Sequence, residues 1–317
     1  MREASTLPLR GASARPLVLA IGVFDGMHLG HQAVLKAAVG IARRKGWTAA
    51  ALTFDPPPEA ALGLPVPPRL EHPDEQSAVM AGLGLRELYR IPFTRALGRR
   101  SAESFAASVL KGRLRCGAVA VGRGFRFGAG AAGTVETLRA LGARLGFGVE
   151  EVAPVLGGGK PLSSTRLRQA VQEGRMDAAG RLLGRPWLYR GVVVRGRRLG
   201  RTIGFPTANL EGPQEVLPPR GVWAGRCRMV SRSGHSRWWA FAGNLGLRPT
   251  VKPLPGQEPL PSVELHLLGF QGGLEGKTIE AEFLRRLRPE RKFGSLAALS
   301  AQIGRDVVAA RKLLGKL

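Results

Sequence analysis

Two histidines, His28 and His31, stand in the stretch Ala20-Ile21-Gly22-Val23-Phe24-Asp25-Gly26-Met27-His28-Leu29-Gly30-His31. An apolar run, Leu17 to Val23, enters this stretch and a helical pattern leaves it, so the histidines sit at a helix mouth. Glycines let backbone come close to a ligand. A helix N-terminus offers unpaired N–H groups and the positive end of a dipole. Two imidazoles there add donors for the same anion, and the chemistry that results is phosphate binding.

Three further groupings point to related chemistry. Ser163-Ser164-Thr165-Arg166-Leu167-Arg168 follows Gly157-Gly158-Gly159-Lys160-Pro161. Hydroxyl residues open a helix there and arginines follow in its first turns, which suits a clamp on ATP phosphates. It is not a P-loop, because Lys160 is followed by proline. In Gly200-Arg201-Thr202-Ile203-Gly204-Phe205-Pro206-Thr207-Ala208-Asn209, a glycine-rich turn leads into two oxygen-bearing side chains two residues apart. If extended, Thr207 and Asn209 point the same way. Their hydroxyl and amide oxygens suit Mg²⁺ that shares its sphere with phosphates and water. Glu264, in a strand-like run, could accept a hydroxyl proton, and His266 shares its face and is expected to orient it. Plainer readings exist for each: loop histidines, an ordinary N-cap, a polar turn, a surface glutamate between buried Val263 and Leu265. Gly128-Ala129-Gly130-Ala131-Ala132-Gly133 matches a dinucleotide fingerprint, but it does not directly follow a strand and reads as a flexible loop.

The elements that must position these residues fall into two textures. Strand-like runs at Leu17–Val23, Trp47–Phe54, Leu85–Ile91, Gly117–Gly122 and Phe147–Val155 alternate with helical segments at Leu29–Arg44, His72–Leu83, from Ser101, and Thr134–Leu145. That alternation predicts a parallel, doubly wound sheet with ligands beyond the carboxyl ends of its strands. A short helix, Asp177–Leu183, precedes a break at Gly184-Arg185-Pro186. Short β-branched runs follow at Tyr189–Val194, Gly221–Val230, Arg237–Ala242, Ser262–Leu268 and Thr278–Leu284, separated by Gly and Pro. These predict an antiparallel barrel, closed by a helix from about Ser295 to Leu314. The expected division is a disordered tail at 1–15, a first domain at 16–184 and a second at 185–317.

Composition narrows the class. The chain has 317 residues, 44% of them hydrophobic, which fits two globular domains. No apolar run approaches the ~20 residues that span a bilayer, and the first residues lack a secretory apolar core. A cytoplasmic setting without membrane partners is expected. Cys116 and Cys227 show no metal spacing and are expected as buried free thiols. The net charge of +25 keeps a nucleic-acid partner as an alternative. The basic residues are spread along the chain, however, with no aromatic-interleaved stripe.

Taken together, the groupings resemble one family. Gly22-x-Phe24-Asp25-Gly26-x-His28-x-Gly30-His31 resembles the HxGH nucleotidyltransferase motif, in the form found in the adenylyltransferase half of bacterial bifunctional riboflavin kinase/FAD synthetases. Ser163-Ser164-Thr165-Arg166 resembles that family's S-S-T-R. Gly200 to Asn209 resembles the riboflavin kinase motif G-R-x-x-G-F-P-T-A-N. Asn244-Leu245-Gly246-Leu247-Arg248-Pro249-Thr250, Val263-Glu264-Leu265-His266 and Arg288-Pro289-Glu290-x-x-Phe293 follow in family order. Pro57 stands where the family usually has His, Gly124 where it has Asn or Asp, and Trp223 where it has Tyr.

The resemblance implies an α/β plus β chain: a Rossmann-like nucleotidyltransferase domain, then an antiparallel β-barrel kinase domain with a C-terminal helix. It implies phosphorylation of riboflavin to FMN and adenylylation of FMN to FAD, with ATP and Mg²⁺. By resemblance, His28, His31 and Glu264 are catalytic. Gly22, Phe24, Asp25, Gly30, Ser163, Ser164, Thr165, Arg166, Gly200, Gly204, Pro206 and Thr207 face nucleotide. Thr207 and Asn209 hold the metal, and Arg288, Glu290 and Phe293 meet the flavin. A kinase with a weak or inactive first domain is the alternative within the family.

Overall fold

The computed structural model describes residues 1–7, 14–196, 199–231, 234–247 and 261–315. The chain separates into two compact units, Met1–Pro68 with Pro73–Ser164, and Arg69–His72 with Thr165–Leu317.

The first unit is built on a six-stranded sheet of β1 (Arg2–Ala4), β2 (Leu17–Ile21), β3 (Thr48–Phe54), β4 (Glu87–Ile91), β5 (Cys116–Gly122) and β6 (Gly148–Val152). Its order is β1-β4-β3-β2-β5-β6, with every neighbouring pair parallel. Both faces are covered, which is why the strands read as continuous apolar runs. Leu17, Leu19 and Ile21 of β2 pack with Phe105, Leu110 and Leu138 on one side. Val18 and Ala20 pack with Val34, Leu35 and Met80 on the other. The first side is covered by a π-helical segment, Phe105–Arg113, and the second by α1 (Leu29–Lys45) and α2 (Pro73–Gly82). Helix α3 (Val135–Leu145) joins the first side, burying Leu138 and Leu141.

Two expectations change here. Residues 2–4 are not a disordered tail: Arg2, Glu3 and Ala4 pair with Glu87, Leu88 and Tyr89. The open edge of β4 offers backbone groups that a short extended segment satisfies. The Gly128–Gly133 loop is folded rather than flexible, since Phe127 and Gly133 exchange backbone hydrogen bonds across a 3₁₀ turn at Ala129–Ala131.

The second unit begins with helices α4 (Ser164–Gln172) and α5 (Met176–Leu183), followed by β7 (Leu188–Val194), β8 (Ala208–Glu211), β9 (Gly221–Ser231), β10 (Trp239–Leu247), β11 (Pro261–Leu267) and β12 (Thr278–Arg288). These strands run β9-β10-β11-β8-β7-β12, all antiparallel, and β9 pairs again with β12 to close a six-stranded barrel. Alternate residues point inward: Ala208 and Leu210, Val263 and Leu265, Ile279, Ala281 and Phe283 share one core with Trp223 and Phe241. Helix α6 (Leu296–Leu314) lies on the outer face, where Ala310 meets Ala224 and Ala242. Strand β8 is an element that periodicity missed, because four residues are too few to show an alternation. Both cysteines are buried free thiols, and burial pushes each thiol up to about 12.

Candidate active sites

In the first unit, β2 ends where the chain order reverses, with β3 on one side and β5 on the other. Ligands of open parallel sheets bind outside the carboxyl ends of the strands at such a switch point. The loop Gly22–His28 occupies it. Phe24 and Met27 adopt left-handed backbone, with φ of 57° and 38°, at a cost of about 1–2 kcal/mol each. Side chains from three other places hold the loop's carbonyls. The Thr53 hydroxyl donates to Val23 O at 2.9 Å, the Gln32 amide to Met27 O at 2.9 Å and the Ser164 hydroxyl to Asp25 O at 2.9 Å.

His28 caps α1: its Nδ1 accepts the His31 backbone N–H at 3.3 Å. An accepting Nδ1 leaves the ring proton on Nε2. His28 is only 5% exposed, and burial pushes its pKa down to about 4. It is therefore a neutral donor at physiological pH. The two imidazoles stack with centroids 3.7 Å apart, and the Phe24 ring stands edge-on to His31 at 5.4 Å. Gly30 makes the stack possible, since a Cβ there would lie 3.0 Å from the His28 ring.

The structure thus joins Gly22, Asp25, His28, Gly30, His31 and Ser164 in one place. The Phe24 ring is buried in the core and supports His31 from within. Ser163 precedes α4, while Thr165 and Arg166 lie in its first turn and belong to the second unit. Pro57 leads into a short helix, Pro58–Leu62, and Gly124 sits at φ 85° with open space around it.

In the second unit a cavity of about 360 Å³ opens between the barrel's outer face and α6. Gly200, Phe205 and Thr207 line it from one side, Asn244, Glu264 and His266 from the barrel, and Arg288 at the end of β12 with Glu290 and Phe293 from the segment that follows. Strand register explains the convergence. Asn209 lies opposite Glu264, Glu264 opposite Asn244, Asn244 opposite Val222, and Val222 opposite Arg288. Glu264 therefore stands between two amides on the outward face, while its neighbours Val263 and Leu265 fill the core. Gly200 is required by close approach: a Cβ there would collide with the carbonyl oxygen of Phe205.

His266 does something other than orient Glu264. Its Nδ1–H donates to Pro206 O at 2.8 Å, since a carbonyl can only accept, and Phe205 packs edge-on at 5.5 Å. It secures the Gly200–Asn209 segment instead. Sequence reasoning missed Asp306 of α6, which grips Arg288 through Nη2 at 2.8 Å and Nε at 3.1 Å. Gln302 donates to the same carboxylate at 2.9 Å. Glu290 accepts from the Asn244 amide at 3.3 Å, and the Arg288 and Arg291 guanidiniums lie over the Phe293 ring. No local signal marks Asp306, because its partner is eighteen residues away and on a strand. Arg248, Pro249 and Thr250 lie outside the described residues.

Comparison with known proteins assigns a family to each unit. A family model described as FAD synthetase matches residues 11–166, and one described as riboflavin kinase matches residues 183–314. A relative from Escherichia coli (strain K12), named bifunctional riboflavin kinase/FMN adenylyltransferase, is 36% identical over 299 residues, 94% of this chain and 93% of its own. The chain belongs to that family. A member from Bacillus subtilis (strain 168) is 34% identical over 91% of this chain and 90% of its own. The fold is shared from end to end with a crystal structure described as a macrolide-efflux protein from Streptococcus pneumoniae, with a TM-score of 0.82 and 28% identity over 97% of this chain and 99% of that one. Among the described residues no helix is long and apolar enough to cross a membrane.

Proposed function

We propose that the second unit phosphorylates riboflavin and the first adenylylates the FMN that results. The observation that carries the kinase reading is Glu264, set in register between Asn209 and Asn244 on the wall of the cavity. Its carboxylate takes the proton of the ribityl hydroxyl, the hydroxyl oxygen bonds to the γ-phosphorus, and ADP leaves. Thr207 and Asn209 offer neutral oxygens, and among the described residues no clustered His, Cys, Asp or Glu competes for a metal. That donor set fits Mg²⁺ held jointly with ATP phosphates. When bound, the ion neutralises phosphate charge. Arg288, Glu290 and Phe293 line the same cavity and are assigned to the flavin.

In the first unit an FMN phosphate oxygen attacks the α-phosphorus of ATP, the α–β phosphate bond breaks and pyrophosphate leaves. The Nε2–H of His28 and the ring of His31 stabilise charge on the phosphates as preorganised donors. Gly22, Asp25, Gly30, Ser163, Ser164, Thr165 and Arg166 are assigned to the nucleotide, as are Gly200, Gly204 and Pro206 in the kinase half. The buried free thiols fit a reducing compartment, and we place both reactions in the cytoplasm.

The test is direct. Incubation with riboflavin, ATP and Mg²⁺, followed by separation of the flavins, is expected to give FMN and then FAD. FMN alone would favour a kinase with a weak first domain, the reading that Pro57 and Gly124 support; neither flavin would overturn both.

A further inference from the structure

The loop that carries the stacked histidines is held from a part of the chain that no motif includes. The Gln76 Nε2 donates to Phe24 O at 2.9 Å and to Val23 O at 3.2 Å. Gln76 is 6% exposed, and its own orientation is set from behind, because its Oε1 accepts from Nη1 of Arg90. An amide whose oxygen is claimed in this way must turn its N–H groups to the loop. Arg90 is fixed in turn. Its Nε donates to Glu3 Oε1 at 2.7 Å, and its Nη2 donates to Ser77 Oγ at 2.9 Å and Pro73 O at 3.2 Å. The Ser77 hydroxyl donates to the second oxygen of Glu3 at 3.0 Å. Glu3 is held by β1, which is in register with β4.

We infer that Gln76, Arg90 and Glu3 are positioning residues for adenylyl transfer, linking the N-terminal strand through β4 and α2 to the backbone of Val23 and Phe24. The inference rests on the adenylylation reading of the first unit. Gln76 brings no charge to the reacting phosphates. It acts by fixing two carbonyls of a loop whose left-handed residues, Phe24 and Met27, precede His28. Thr53 fixes one of those carbonyls as well, but Phe24 O receives a side-chain donor only from Gln76 among the described residues. A loop freed at that point lets the His28–His31 pair drift from the attacking geometry, and a misplacement on the order of 1 Å costs about 100-fold.

The decisive variant is Gln76→Glu. It keeps the shape and the Arg90 partner, but it turns an acceptor toward two carbonyls. Its kcat for FAD formation from supplied FMN is expected to fall about 100-fold. FMN formation by the second unit of the same molecule should stay unchanged, which separates positioning from general damage. Glu3→Ala, at the solvent end of the relay, is expected to cost about threefold. Amide hydrogen exchange in Gly22–His28 should rise in Gln76→Glu, a readout that needs no chemistry. Wild-type FAD formation together with unchanged exchange would overturn the inference, and so would an equal loss of FMN formation. If the unmodified protein makes no FAD, the adenylylation reading fails, and the exchange result alone then decides whether Gln76 holds the loop.

Discussion

Burial holds His28 as a neutral imidazole at physiological pH, and that has a measurable signature. Its folded pKa of about 4 lies below the ordinary 6.5. Between those values the unfolded chain binds a proton that the folded chain refuses. The stabilisation is complete above pH 6.5 and is lost as pH falls toward 4, by on the order of 2–3 kcal/mol. Denaturant titrations at pH 7 and pH 4.5 should show that loss, and His28→Asn should remove this component of it. Gly30→Ala should cut FAD formation at least tenfold by pushing a methyl against the His28 ring, 3.0 Å from where its Cβ would stand, with FMN formation unaffected. Glu264→Gln should do the reverse, lowering FMN formation by about 10²–10⁴-fold while FAD still forms from added FMN. The histidine pair and Glu264 were legible because each sits in a motif with fixed spacing. The role of Phe24 was not: inside a turn with left-handed residues no periodicity says which way a side chain faces. Gln76 and Arg90 are single polar residues whose partners are supplied only by the fold.

At the level of elements, the C-terminal helix was legible in outline. The sequence pattern starts it at about Ser295, and Ser295 is its N-cap, accepting the Ala298 N–H at 3.1 Å. What periodicity did not disclose is that the helix buries an acid. Asp306 is 5% exposed and binds Arg288 in bidentate fashion, so α6 is fastened to the end of β12 over the cavity. Breaking a buried pair by removing one partner leaves the other charge stranded, at a cost of about 3 kcal/mol. Asp306→Ala should therefore lower the second unit's unfolding midpoint and raise KM for riboflavin more than it changes kcat, because the wall is loosened while Glu264 is untouched. Steady-state FMN formation across riboflavin concentrations checks this. Strand β1 escaped sequence reading for a related reason. Arg2-Glu3-Ala4 has no apolar alternation, and its place depends entirely on an edge made by residues 87–89.

For the molecule as a whole, the domain textures were legible because each sheet type imposes its own pattern: continuous apolar runs in the parallel sheet, alternation in the barrel. The same sheets differ in how they end. The barrel has no edge, since β9 and β12 close it. The parallel sheet has two. One is β6, whose Glu151 is engaged by Arg123 at 3.2 Å and Arg139 at 2.6 Å, a charged rim that discourages pairing. The other would be β4, with Leu88, Tyr89 and Ile91 all buried, were it not covered by β1. Arg2, Glu3 and Ala4 are thus also a guard on colloidal behaviour. A chain begun after residue 4 would present an apolar-flanked strand with a free row of backbone donors and acceptors, and light scattering should register it as self-association before any loss of barrel structure is visible.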